Sequence, residues 1–402
     1  MQTQLADFIN NTDTGREAEA ILRSCVHCGF CNATCPTYQL LGDELDGPRG
    51  RIYLIKHLLE GEAATEETQQ HLDRCLTCRS CETTCPSGVK YNRLLDIGRE
   101  IIEERVSRPW PQRLLRRLLL WSLPYPRRFK MLAGIGAWLR PVLPKRLKAK
   151  LPSKQTADSW PAARHDRRML ILQGCVQPTL APRINAAAAR VLDRLGIDVV
   201  PIDHCCGALS YHLNDQTSSF DMMRRVIDAC WPHVENGIEA IITTASGCGV
   251  TTKDYGMLLK DDPLYADRAA RIAALTKDIS EILQVEDILS LQPLSRKVAF
   301  HSPCTLQHGQ RLNGVVENLL TELGFTLTAV ADSHLCCGSA GTYSILQPEL
   351  AGRLQKAKIQ ALQAEQPDVI ATANIGCWMH LQEKASVPVV HWVELLAPKM
   401  ES

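Results

Sequence analysis

From residue 165 onward, short apolar runs rich in branched residues alternate with helix-length amphipathic stretches, the grammar of βαβ units. Met169-Leu-Ile-Leu, Ile197-Asp-Val-Val and Ile241-Ile-Thr-Thr read as strands, and residues 185–195 read as a helix between the first two. The same order returns about 130 residues later as Val298-Ala-Phe, Phe325-Thr-Leu-Thr and Val369-Ile-Ala-Thr, with a helix over 350–363. Cysteines keep step with this duplication: Cys175, Cys205-Cys206-Gly207 and Cys248 correspond to Cys304, Cys336-Cys337-Gly338 and Cys377, at offsets of 129, 131 and 129. Three anchors in register predict two homologous α/β units. Ligands of open parallel sheets sit beyond the carboxyl ends of strands, where Cys175, Cys248, Cys304 and Cys377 fall. Each sheet is therefore expected to aim its thiols at a site on its own edge.

Upstream the pattern differs. Residues 50–60 predict an amphipathic helix packing through Ile52, Leu54, Ile55, Leu58 and Leu59. A second helix is predicted over 112–122, with Arg113, Arg116 and Arg117 on one side and Leu114, Leu115, Leu118, Leu119 and Trp121 on the other. No run reaches the ~20 apolar residues a spanning helix requires. Residues 118–123 stop at Pro124, and 131–139 are bracketed by Lys130 and Arg140.

Composition adds three constraints. An apolar fraction of 45% over 402 residues supplies real cores, which excludes disorder as the main description. The 45 Lys plus Arg nearly balance 44 Asp plus Glu, so net charge makes no case for nucleic acid. The balance hides a segregation: residues 105–150 hold thirteen Lys or Arg, no acid and no cysteine, leaving 32 basic against 44 acidic residues elsewhere. Such a zone suits an anionic membrane interface, or equally a linker packed on the protein or on a subunit. The 17 cysteines, an odd number behind an N-terminus without the apolar core of a secretory signal, point to reduced thiols serving as metal ligands or redox groups in a cytosolic protein.

Eight of these thiols fall in two matching runs. Cys25-x2-Cys28-x2-Cys31-x3-Cys35-Pro36 and Cys75-x2-Cys78-x2-Cys81-x3-Cys85-Pro86 are the spacing of bacterial 4Fe-4S sites, whose fourth cysteine ligates the other cluster in two-cluster ferredoxins. Cys25, Cys28, Cys31 and Cys85 are thus assigned to one 4Fe-4S cluster, and Cys75, Cys78, Cys81 and Cys35 to a second. A pair of zinc sites is the plainer alternative, but zinc has no need of this frame twice. In the duplicated half, the glycine after each cysteine pair permits a turn that lets both thiols face one site. One additional iron–sulfur cluster there is expected through Cys304, Cys336, Cys337 and Cys377, ahead of Cys175, Cys205, Cys206 and Cys248. A zinc site, a vicinal redox disulfide and a vestigial repeat remain the alternatives. Cys230, outside the motif, is expected to be a buried core thiol. The expected fold is α plus α/β: a helical two-cluster ferredoxin domain over 1–104, a basic linker over 105–164, and Cys-Cys-Gly repeats over 165–290 and 291–402.

The Cys-Cys-Gly repeats resemble the cysteine-rich domain of heterodisulfide reductase, the lactate-utilisation proteins and the anaerobic glycerol-3-phosphate dehydrogenase anchor subunit. Together with Cys25-Val-His-Cys-Gly-Phe-Cys-Asn-Ala-Thr-Cys-Pro-Thr-Tyr and Leu41-Gly-Asp-Glu-Leu-Asp-Gly-Pro-Arg-Gly-Arg-Ile-Tyr, they make the chain similar to the iron–sulfur subunits of glycolate oxidase over about 85% of its length. That resemblance implies FAD-containing partner subunits that oxidise glycolate to glyoxylate, and electrons delivered towards the respiratory quinone pool. A peripheral place on the cytoplasmic face of the inner membrane is expected, and a nucleic-acid protein fits poorly because aromatic residues are not interleaved with a basic face outside residues 105–150. A glycerol-3-phosphate or lactate dehydrogenase complex, or a heterodisulfide-reductase-like enzyme, is the alternative reading. One departure stands out: the heterodisulfide reductase repeats end Cys-x2-Cys, whereas here the last position is Thr251 in one copy and His380 in the other. His380 is then a candidate substitute for a thiolate, with His301 and His334 near it in sequence.

No catalytic residue is assigned. The only near match to a dinucleotide-binding turn, Gly134-Ile-Gly136, lacks the third glycine, and no phosphate loop, H-E-x-x-H or G-x-S-x-G is present. Hydride removal from a hydroxy acid therefore belongs on a partner. Anaerobically purified protein is expected to hold about eight irons and about eight acid-labile sulfides or more per chain. Cys28→Ser or Cys78→Ser should remove or destabilise one cluster while Cys230→Ser does little, and zinc in place of iron would exclude this assignment.

Overall fold

The computed structural model describes residues 1–139, 159–291 and 293–397. Its N-terminal part is helical, with Asp13–Ser24, Pro48–Leu59, Glu66–Asp73 and Tyr91–Arg105 packed around Leu22, Ile55, Leu58, Leu59, Leu72, Leu94, Leu95 and Ile102. The Pro48–Leu59 helix starts two residues earlier than the periodicity suggests, because Pro48 fits a first helical turn that needs no N–H. Ile52, Ile55, Leu58 and Leu59 are buried, while Leu54 lies half-exposed at the margin of that face.

The rest is two parallel sheets. β1 (Arg167–Leu172), β2 (Ile197–Ile202), β3 (Ile241–Thr243) and β4 (Thr276–Asp278) run in the order β2-β1-β3-β4. β5 (Lys297–His301), β6 (Thr326–Leu327), β7 (Val369–Thr372) and β8 (Val389–His391) repeat it as β6-β5-β7-β8. Registers match between copies: Leu172 lies opposite Thr243, and His301 opposite Thr372. The short edge strands β4 and β8 carry too little apolar pattern to be visible in the sequence. One apolar core runs through both units, joining Met169, Ile171, Val191 and Ile242 to Val298, Phe300, Leu320, Ile370 and Trp392. Polar contacts close the junction. His391 donates from Nε2 to the Thr244 carbonyl at 2.7 Å, and Asn374 donates to Ser246 Oγ at 3.1 Å.

The helical part docks on this pair at its cysteine loops. Arg79 pairs with Asp254, the Thr83 hydroxyl donates to His308 Nδ1 at 2.9 Å, and the Tyr343 hydroxyl donates to the Arg74 carbonyl at 3.1 Å. Leu76 and Cys78 pack there against Cys304, Cys336 and Tyr343.

The basic zone forms two helices within the described residues, Trp110–Ser122 and Pro126–Leu139. Residues 140–158, including the basic positions from Arg140 to Lys150, lie outside the described residues. The expected three-arginine face is not one face. Arg116, 13% exposed, turns inward to Asp73 at 3.2 Å beside the nearly buried Arg108. Burial alone would raise the Asp73 carboxyl, but hydrogen bonds from Arg108 and the charge of Arg116 outweigh it and hold it below the usual carboxylate range. A carboxylate withdrawn from water needs such partners, and it recruits them from the neighbouring helix. Leu119 is buried on the same inward side, whereas Leu114, Leu115, Leu118 and Trp121 stay exposed. Among the described residues, no helix is long and apolar enough to cross a membrane.

Candidate cluster sites

Both N-terminal cysteine runs curl in the same way. His27 and Gly29 in the first, and Thr77 and Arg79 in the second, adopt left-handed backbone with φ of 55°, 85°, 51° and 59°. For a non-glycine residue such backbone costs on the order of 1–3 kcal/mol, and most for β-branched Thr77. The strain turns consecutive thiols to one side. Cys25, Cys28, Cys31 and Cys85 then border one hollow, which Cys81 also reaches, and Cys35, Cys75, Cys78 and Cys81 border a second.

Each fourth cysteine thus leaves its own run. For Cys35 the cause is a polar knot directly behind it. The Thr37 hydroxyl donates to the Asp46 carbonyl at 2.7 Å and receives Arg51 at 3.2 Å. The fully buried Asp46 carboxylate accepts from Arg74 at 2.8 Å and from His71 Nδ1 at 3.0 Å. The segment after Cys35 is thereby tied to the segment before Cys75. Burial, followed by the proximity of Cys25, pushes the Cys31 thiol up to about 11. Burial and neighbouring thiols also push Cys78 and Cys81 upward. Thiols that oppose one another's ionisation become stable as thiolates once cations lie among them, so the donor sets fit iron–sulfur clusters.

In the duplicated half, Cys175 and Cys304 follow β1 and β5, and Cys248 and Cys377 sit in the helices after β3 and β7. Gly207 and Gly338 hold φ of 85° and 90° behind the cysteine pairs. A Cβ at Gly338 would stand 2.8 Å from the Ala351 carbonyl oxygen, and one at Gly207 would stand 2.9 Å from that of Ser219. Only glycine fits both the conformation and the space. The Cys304 and Cys336 sulfurs are 3.8 Å apart, and Cys336–Cys337 and Cys337–Cys377 contacts continue the chain of thiols. In the first copy the order is Cys175–Cys205–Cys206–Cys248.

The end positions behave differently from expectation. Thr251 donates to Gly247 O within its own helix, and His380 spends Nε2 on the Ala351 carbonyl at 3.3 Å. His334 contributes its carbonyl to His308. His301 is the histidine brought to the thiols, with a ring nitrogen and the Cys337 and Cys377 sulfurs all within 4.8 Å of one another. Strand register, unlike sequence proximity, decides this. Cys230 lies in the apolar core beside Val226 and Ile227, where burial pushes its thiol up to about 12.

The two sheets do not own separate edge sites. A single cavity of about 2050 Å³ is lined by Cys78 from the helical part, by Cys175, Cys205, Cys206 and Cys248, and by Cys304, Cys336 and Cys377. Phe129, Leu132 and Ala137 from the Pro126–Leu139 helix cover part of it. Asp96 and His212 also reach it, and no motif announces either. Burial outweighs Arg99, Arg93 and Arg79 to push the Asp96 carboxyl up to about 6.

Crossed four-thiol sets on a helical domain, joined to thiol-lined parallel sheets, define an iron–sulfur electron-transfer protein. Residues 21–89 match the family model of a 4Fe-4S dicluster domain, and residues 169–253 and 298–382 each match that of a cysteine-rich domain. The chain is 56% identical over 405 residues to the glycolate oxidase iron-sulfur subunit of Escherichia coli K12, covering all of both chains. It is 31% identical to the probable glycolate oxidase iron-sulfur subunit of Bacillus subtilis 168, over 96% of each. Lactate utilization protein A of Bacillus velezensis is 27% identical over 55% of this chain and 95% of its own. The chain belongs to the family of glycolate oxidase iron–sulfur subunits.

Gly338→Ala should destabilise the protein by roughly 1–3 kcal/mol in denaturant titration, from strained backbone and a blocked Cβ. Gly352→Ala, in a helix with nothing within 4 Å of the added Cβ, should be neutral or stabilising by up to ~1 kcal/mol.

Proposed function

We propose that this chain carries electrons in a glycolate-oxidising complex, from FAD-containing subunits that convert glycolate to glyoxylate towards the respiratory quinone pool. Cys25, Cys28, Cys31 and Cys85 would hold one 4Fe-4S cluster, Cys35, Cys75, Cys78 and Cys81 a second, and the duplicated half a third. When bound, these groups accept and release single electrons. The observation that carries the reading is the continuity of the thiols. Cys28 is exposed, with Val26 and Phe30 beside it at 70% and 60%, which leaves the first set open to a partner. The second set lies behind it, and its Cys78 packs with Leu76 against Cys304, Cys336 and Tyr343. The chain's own residues thus trace a line from an exposed rim, through the helical part, into the second repeat.

The test separates carrier from dehydrogenase. Isolated protein should bind no flavin and oxidise no glycolate, and addition of the flavin subunits should produce glycolate-dependent dye reduction. Turnover by this chain alone, free of other subunits, would refute the proposal.

The two basic helices are proposed to rest on the cytoplasmic membrane face without crossing it. Trp110, Leu118, Met131, Ile135 and Trp138 are exposed there, the last at 80%, with Arg113, Arg117 and Arg127 exposed among them. Anionic lipid attracts each such basic residue by ~1 kcal/mol, and apolar side chains insert at the headgroup boundary. Arg113→Glu with Arg117→Glu should weaken sedimentation with anionic vesicles while sparing the Arg116–Asp73 pair. High salt should mimic it, leaving a remainder that Trp121→Ser reduces. Unchanged vesicle binding by the double variant would make this surface a subunit contact instead.

A further inference from the structure

Among the described residues, two histidines, His27 and His301, have a ring nitrogen sealed from water without a partner, whereas His391 and His308 have both nitrogens occupied. His391 donates from Nε2 to Thr244 O at 2.7 Å and receives the Val393 N–H at Nδ1 at 3.3 Å. His308 donates from Nε2 to His334 O at 2.9 Å and receives Thr83 at Nδ1. His301, 2% exposed at the end of β5, bonds through Nδ1 to the buried Thr372 hydroxyl at 3.0 Å, and its Nε2 has no partner. An unpaired polar atom sealed from water is destabilising unless a ligand completes it. The same ring lies with the Cys337 and Cys377 sulfurs in one group whose ligand atoms are all within 4.8 Å of one another.

We propose that His301 Nε2 is a metal ligand, binding with Cys337 and Cys377 an iron of the cluster in the second repeat, whose remaining donors are Cys304 and Cys336. This rests on the reading that the second repeat holds a cluster. The Thr372 hydroxyl acts as the outer partner of the ring: by accepting from Nδ1–H it places the lone pair on Nε2, as carbonyl and carboxylate partners do for metal-bound histidines elsewhere. Cys304 and Cys336, linked to this three-residue group through the Cys304–Cys336 and Cys336–Cys337 sulfur contacts, bring the neighbouring donors to five, more than the four that a structural zinc takes, which favours a multi-iron group. The feature is specific to this repeat, because the register position of His301 is occupied by Leu172 in the first copy, opposite Thr243. His380, at the position of the missing terminal cysteine, is engaged with Ala351. The fold has thus supplied a replacement donor from a strand end instead of from the helix where the motif would put it. A neutral imidazole in place of a thiolate removes one negative charge from the site and raises its reduction potential, as histidine ligands do in other iron–sulfur proteins. The second repeat then becomes the stronger electron acceptor at the inner end of the thiol line.

Full-length protein, reconstituted anaerobically with iron and sulfide and then reduced, tests the assignment by pulsed EPR with and without 15N-histidine. Wild type should hold about four irons beyond the eight of the N-terminal sets and show a strongly coupled imidazole nitrogen. His301→Leu, the residue of the first copy, should lose that coupling and the extra iron. His301→Cys should keep the iron, lose the coupling and shift the third reduction step to lower potential, while His380→Gln should keep the coupling. A full third complement of iron without imidazole coupling would overturn the His301 assignment alone, as would coupling that survives His301→Cys. Zinc in the site, or eight irons and no more in wild type, would overturn the cluster in the second repeat and the ligand with it.

Discussion

A parallel sheet delivers whatever follows each of its strands to a single edge, and that constraint organises this protein. In each unit the segments after the first and third strands carry a cysteine, and the loop after the second carries the adjacent pair. Strand polarity alone therefore gathers four thiols per unit. Because the two units share one core, their thiol-bearing edges open into one cavity, and the helical domain docks with Cys78 against it.

Gathering these eight thiols and the eight of the helical domain is costly before any metal arrives. Burial and neighbouring thiols push Cys31, Cys78, Cys81 and Cys304 towards their protonated forms, and the cysteine loops hold strained backbone at His27, Thr77 and Arg79. What keeps the arrangement in place is polar structure behind it. Asp46 joins Arg51, His71 and Arg74 in a buried network that fixes where Cys35 points, and Arg99 donates to the Leu72 and Cys75 carbonyls under the second run. Such networks define one arrangement because each unsatisfied member would cost more than the bond it replaces. Strain at the ligand loops is held by the rigid helices on which they are mounted.

The basic zone has two faces that its composition does not separate. Arg108 and Arg116 face inward and satisfy Asp73, which anchors the Trp110–Ser122 helix to the helical domain. The outward side leaves Trp110, Leu118, Arg113 and Arg117 exposed to solvent. The following helix lines the thiol cavity through Phe129, Leu132 and Ala137.

Much of this was legible in the residues because it depends on local spacing. C-x2-C-x2-C-x3-C-P is a loop geometry, Cys-Cys-Gly with its glycine is a turn geometry, and offsets of 129 and 131 record a duplication whatever the packing. The strands of the two units were visible for the same reason, except the short edge strands β4 and β8, whose existence depends on a neighbour with which to pair. Long-range arrangement was not legible. Sequence proximity pointed to His380, yet a helix turn directs it to Ala351, while β5 register carries His301 to thiols 36 and 76 residues away. Arg116 looked solvent-facing until Asp73, 43 residues earlier, claimed it. By itself the sequence determined which groups the protein possesses and how each is presented by its own loop. The tertiary structure decided which groups meet, because distance in space and burial from water are set by packing between segments that local pattern leaves independent.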